Sequence, residues 1–234
     1  KALQILHGEL PARIDVTARK KIQQCYDEVV FIAQNEAAVY GINTGFGPLC
    51  NTKISKDKTK QLQRNILLSH SVGVGEPVIK DISKMMLILK VHALSQGFSG
   101  IAPEVLDRII FLIDNDVIPV VPEQGSVGAS GDLAPLSHLF LPLIGEGEVF
   151  YNNKITNTSK VYKKLELQPL ELGPKAGLAL INGTQFIAAH AVMVVEKLHT
   201  CLAHADIIAA LMIEGLKGST SPFLQELHAI RPYK

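Results

Sequence analysis

Three consecutive residues, Ala129, Ser130 and Gly131, have the types that a backbone cyclisation needs. The glycine amide nitrogen must reach the alanine carbonyl carbon, and bulk at either position would block that approach. Loss of water from the closed ring and from the serine side chain leaves a methylidene-imidazolone. This is a conjugated carbon electrophile of a kind that no natural side chain offers. Taken alone, Ala-Ser-Gly is also a common turn, so the surrounding elements must decide between the two readings.

Those elements suit the first. The stretch Val117 to Pro122 carries two prolines, cannot be helical, and leads as extended chain into the glycine-rich loop Gly125 to Gly131. A helix is predicted immediately afterwards, with Asp132 as its cap and Pro135 in its first turn. The positive end of that helix would face the loop and favour electron density developing on the ring.

Apolar residues at Ile22, Cys25, Tyr26, Val29, Val30 and Ala33 mark one face of a helix over Thr17 to Asn35. The segment Tyr40 to Leu49 packs three glycines and a proline into ten residues and must be a loop. A second helix runs from Ser55 as N-cap to His70, with Leu62, Ile66 and His70 on one stripe, and Gly73 and Gly75 follow it. Further helices are predicted over Asp81 to Gln96, Pro103 to Asn115, from about Pro174, and over Thr184 to Glu214. Glu148 to Ile155 reads as a hairpin turning at Asn152-Asn153. The expected fold is mainly α and multi-helical with one small β-hairpin, in a single domain over 1–234 without an internal boundary.

Composition narrows the function. A net charge of +1 with no basic run gives no footprint for nucleic acid, which is not expected as a partner. The apolar share of 47% against 19% charged fits a chain that buries surface in an oligomer or belongs to a larger fold. Cys25, Cys50 and Cys201 form no C-x-x-C pair and point to a reducing compartment. The apolar windows Met85 to Leu89 and Ala205 to Ile213 fall short of the ~20 residues that span a bilayer, so no membrane is expected and the default location is cytoplasmic. His190, His199 and His204 do not share a face with a carboxylate, so no metal is expected. Neither GINTGFG nor SVGVGEP ends as a phosphate loop does, and Ser130 lacks the G-x-S-x-G spacing of a hydrolase elbow.

The block GSVGASGDLAPLSHL, Gly125 to Leu139, resembles the signature of the aromatic amino-acid ammonia-lyases, the family of the histidine and phenylalanine enzymes. Three more blocks resemble it in the same order: YGINTGFG at Tyr40 to Gly47, LLSHSVGVGEP at Leu67 to Pro77, and GLALINGTQ at Gly177 to Gln185. The resemblance implies a long central helical bundle and a homotetramer with active sites shared between subunits. It also implies a 4-methylidene-imidazol-5-one formed from Ala129, Ser130 and Gly131, with no external cofactor.

By the same resemblance Tyr40 would sit beside the electrophile, orienting the substrate or exchanging a proton with it. Asn182 would donate hydrogen bonds to the ring oxygen or the substrate. In the Ser69-His70 pair an imidazole can hydrogen-bond a substrate imidazole, which favours L-histidine and its non-oxidative deamination to urocanate and ammonia. His70 could equally bond a tyrosine hydroxyl, so a tyrosine ammonia-lyase or an aminomutase remains open, as does a catalytically silent fragment or scaffold relative. Ala176 stands where histidine-type relatives resemble one another in carrying glutamate, which would alter the polarity near Asn182. A catalytic tyrosine loop, a carboxylate-binding arginine and a glutamate lie farther along the family's chain than Lys234.

Overall fold

The computed structural model describes residues 1–35, 38–45, 54, 56–126 and 131–230. The expected cap Ser55, the thiol Cys50, and Ala129 with Ser130 lie outside the described residues. The chain divides into two compact units, Lys1–His190 and Ala191–Lys234.

The first unit opens with α1 (Ala2–Leu6) and α2 (Val16–Gln34), where the Asp15 carboxylate accepts the Thr17 amide and so satisfies an orphan donor of the first turn. Helix α3 (Lys56–His70) ends where the sequence predicts. Strand β1 (Val74–Pro77) leads to α4 (Lys80–Leu94) and α5 (Pro103–Asp114). Helix α5 starts on Pro103, whose missing N–H would have been an orphan donor anyway. Its residues Val105, Leu106, Ile109, Leu112 and Ile113 form one buried stripe at helical spacing. Burying each of these aliphatic side chains stabilises the fold by roughly 1.5 to 3 kcal/mol, and Ile109→Ala would cost roughly 2 to 5 kcal/mol.

The extended stretch after α5 becomes β2 (Ile118–Pro119) and β3 (Pro122–Gln124), and α6 (Leu133–Phe140) continues into a 3-10 turn at Leu141–Ile144. Strands β4 (Glu148–Tyr151) and β5 (Lys154–Asn157) form the expected hairpin, with Asn152 and Asn153 both at positive φ, 50° and 60°. That pair of angles is what a two-residue turn matched to strand twist requires. The hairpin is not isolated, because β2 adds to β4 with Ile118 opposite Phe150. A second antiparallel pair, β1 with β3, sets Val74 opposite Gln124. The sequence did not disclose it, since VGEP is exposed throughout and shows no alternation.

Helices α7 (Thr158–Lys164), α8 (Ala176–Ile181) and α9 (Gln185–Gly215) complete the helical set that bears on the site. The core of the first unit lies on α4, α5 and α6, where Met85, Met86, Leu87, Leu106, Leu136 and Phe140 are fully shielded. The fold is mainly helical with small sheets, as the periodicity predicts.

The second unit holds the remainder of α9, a 3-10 turn at Ser221–Phe223 and α10 (Gln225–Ala229). Val194, Leu198, Leu202, Ile208 and Leu211 on α9 are exposed in this chain. The helical stretch Ala176–Gly215 is, by length and composition, long and apolar enough to cross a membrane. The window Ala205 to Ile213 understates this run because the alanines and valines from Ala188 to Val195 extend it.

Candidate active site

Three helices that carry or adjoin candidate site residues, α3, α6 and α8, pack pairwise against one another. Ser69 and His70 lie at the end of α3, and the loop that follows them meets α6 at His138, near the C-terminal end of that helix. The start of α6 meets instead the turn that follows α8, where Gly131 lies against Gly183 next to the C-cap Asn182.

Gly131 has φ +110°, and a Cβ built on it would stand 2.4 Å from the Gly183 carbonyl oxygen. Any side chain there would be both strained and in collision with backbone. The neighbouring Asp132 amide donates to that same Gly183 oxygen at 2.7 Å. Gly131 is therefore pressed onto the Asn182-Gly183 turn.

Asp132 occupies the N-cap position of α6 but does not cap that helix with its side chain. Its buried carboxylate turns instead to the start of α9, where Oδ2 accepts the Phe186 and Ile187 amides at 2.8 and 3.1 Å. The physical reason is local. The Asp132 backbone, at φ −92° and ψ 59°, is anchored by its own N–H to Gly183, and the orphan donors of a 31-residue helix lie next to that turn. Oδ1 is buried without a partner among the described residues.

Asn182 ends α8 in an extended conformation, with its amide bonded to Leu178 O at 3.0 Å and its side chain exposed. Its carbonyl oxygen accepts from Nζ of Lys90, on α4, at 2.7 Å. Lys90 is 1% exposed, and burial alone pulls its pKa from 10.5 to about 7. Sequence reasoning missed this residue. The available signal was one lysine inside the apolar run Met85 to Leu94.

The His70 Nδ1 lies 2.9 Å from the Ile66 carbonyl oxygen, one helical turn back, and 3.0 Å from the Ser69 hydroxyl. The carbonyl can only accept, so Nδ1 is the donor in that contact. Ser69 is exposed, and its hydroxyl donates to the same Ile66 oxygen at 3.3 Å. Beyond His70, the Gly73 amide donates to Nε2 of His138 at 3.0 Å, which ties the loop after α3 to α6. Burial holds the His138 pKa below its ordinary value, so its acceptor nitrogen stays unprotonated at neutral pH. The β1 and β3 pairing makes a further connection, because β3 precedes the glycine-rich stretch that leads to Gly131 and α6.

Tyr40 comes from a separate loop, 38–45, in which Gly41 to Gly45 are buried while Tyr40 itself is 53% exposed. Asn43 Oδ1 shapes this loop by accepting the Val39 amide at 2.8 Å. Ala176 is buried at the start of α8, six residues before Asn182. A cavity of about 550 Å³ opens elsewhere, around Tyr26, Thr59, Glu104 and Gly173, and none of the candidate site residues lines it. Among the described residues no three His, Cys, Asp or Glu side chains gather as metal ligands would.

The sequence model of the family described as aromatic amino acid lyase matches residues 1–234. The chain belongs to the aromatic amino acid lyase family. Over 229 residues this chain is 43% identical to the histidine ammonia-lyase of Halalkalibacterium halodurans, with 98% of the chain and 45% of that relative covered. Identity to the histidine ammonia-lyase of Bacillus cereus is 43% over 218 residues, with 93% and 43% covered. Among solved structures, histidine ammonia-lyase from Trypanosoma cruzi superposes with a TM-score of 0.89 at 37% identity, covering 96% of this chain and 44% of that one. Tyrosine aminomutase from Streptomyces globisporus does so with 0.91 at 34% identity, covering 100% and 44%. The chain thus spans less than half the length of the curated relatives it matches.

Proposed function

We propose that this lyase chain carries the electrophile of an enzyme that converts L-histidine to urocanate and ammonia. The observation that carries the reading is Gly131. Its φ of +110° and its contact with Gly183 leave space for a hydrogen and nothing larger, in the middle of the tripeptide's block. Ring closure would join Gly131 N to the Ala129 carbonyl carbon. That oxygen would leave as water with the amide hydrogens of Ser130 and Gly131, and a second water would take the Ser130 hydroxyl and its Cα hydrogen. Ala129, Ser130 and Gly131 would then hold a 4-methylidene-imidazol-5-one in place, without an external cofactor.

When formed, the ring supplies a carbon electrophile that either makes the amino group a better leaving group or activates the aromatic ring. The chain's own residues do the rest. The Asn182 amide donates toward the ring oxygen or the substrate. Nε2 of His70 accepts a hydrogen bond from the substrate imidazole, with Ser69 beside it, and Tyr40 orients the substrate or exchanges a proton with it. The exposed apolar side chains of α9 are accounted for by packing in a homotetramer with shared active sites, in the cytoplasm and without membrane or nucleic acid.

A second reading has support from the tyrosine aminomutase superposition. The acceptor on His70 would serve a phenol hydroxyl as well as an imidazole N–H. Incubating the complete gene product separately with L-histidine and L-tyrosine, and identifying the products, distinguishes the two. Urocanate from histidine is expected. Its absence, with a coumarate or a β-amino acid formed from tyrosine, overturns the histidine reading. Ser130→Ala should keep the fold and lose nearly all turnover, and an intact mass short of two waters in the parent should return to full mass in the variant.

A further inference from the structure

The Asn182-Gly183 turn is gripped at two successive carbonyl oxygens by two different elements. Gly183 O accepts the Asp132 amide at 2.7 Å, and Asn182 O accepts Lys90 Nζ at 2.7 Å from the middle of α4. With the Asn182 amide bonded to Leu178 O, both backbone groups of that residue are fixed, and its remaining freedom is in the side chain.

Stability gives a poor reason to place a lysine there. Burial lowers its pKa to about 7, which sets the fold back more than one backbone hydrogen bond returns. An apolar residue of similar length would suit the surroundings of Met86, Leu87 and Leu94 on the same helix better.

We propose that Lys90 is a positioning residue of the active centre, its ε-amino group holding the Asn182 carbonyl so that the Asn182 side chain and the Gly183 peptide stay aligned on Gly131. This rests on the functional reading above, in which Asn182 faces the substrate and Gly131 closes the ring. Lys90 touches neither. It acts through one peptide unit, and its N–H bond to the carbonyl also polarises that unit, making the Gly183 N–H a stronger donor.

The test uses the complete gene product as parent, Lys90→Met and Lys90→Arg. Each is followed by intact mass, thermal melting and steady-state turnover of L-histidine. A parent at full mass that makes no urocanate sinks the functional reading itself. With a matured, active parent, Lys90→Met should melt cooperatively yet lose roughly thirtyfold or more in kcat, with KM changed less than about threefold, as expected for an interaction felt in the transition state. Lys90→Arg, which keeps a donor, should recover about a third or more of the parent kcat. The proposal is overturned if Lys90→Met matures and turns over like the parent, or if Lys90→Arg is no better than Lys90→Met. A parallel decline of kcat, KM and melting temperature overturns it too, because Lys90 would then merely hold the fold.

Discussion

Replacing Lys90 by methionine should change how stability depends on pH, and the size of the change follows from the burial of one amine. In the unfolded chain the lysine holds its proton up to its ordinary 10.5, whereas in the fold burial releases it from about 7. Between those values the unfolded state binds more protons, so the contribution of Lys90 to stability is fully present above 10.5 and is lost as pH falls toward 7. The deficit works out at about 4 kcal/mol at pH 7 and about 2 kcal/mol at pH 9, from 1.36 kcal/mol per unit of pKa difference. Parent stability should therefore rise by about 2 kcal/mol over that interval relative to Lys90→Met, which has no proton to release there. The lost bond to Asn182 and the altered packing are independent of pH and cancel when each protein is compared with itself. Urea unfolding of both proteins at the two pH values measures the quantity. PH dependences that agree to within roughly 0.5 kcal/mol would refute the argument that Lys90 is buried without a compensating charge.

Three other perturbations follow from the same region. Gly131→Ala should destabilise the chain by about 2 to 4 kcal/mol, through positive φ and overlap with Gly183 O, and leave the complete gene product at full intact mass. Asp132→Ala should cost about 2 kcal/mol in urea unfolding and speed hydrogen exchange at the Phe186 and Ile187 amides, while α5 amides exchange as before. For His138, the lowered folded pKa means that its contribution is present above the ordinary 6.5 and is lost as pH falls through the folded value. A His138→Gln variant, with an uncharged acceptor, should therefore have a flatter urea midpoint on the acid side than the parent. Equal slopes would show that the imidazole does not titrate against Gly73.

Much of the fold was legible because its signals are local. Pro103 with the stripe from Val105 to Ile113 specifies α5 within a dozen residues, and Asn152-Asn153 sets its own turn angles. What escaped depends on partners far along the chain. The VGEP strand becomes a strand only because Pro122 to Gln124 lies beside it. Asp132 reads as the cap of the helix it precedes, yet its carboxylate serves one that starts at Gln185. In the site, the need for a small residue at Gly131 was visible, but its positive φ and its contact with Gly183 were not. Lys90 was hidden for the opposite reason. A lone charge in an apolar helix reads as a side chain that reaches solvent along its own stem, and only the packed structure shows it ending on a backbone carbonyl.

The hold that Phe186 and Ile187 place on Asp132 spans 54 and 55 residues of chain. On a ribosome adding about 5 to 20 residues each second, Asp132 emerges about 3 to 11 s before the segment that holds it. During that interval the Asp132 carboxylate has neither of these amide partners. A message cut short between the two segments therefore yields a polypeptide that carries Asp132 without the amides that hold its carboxylate.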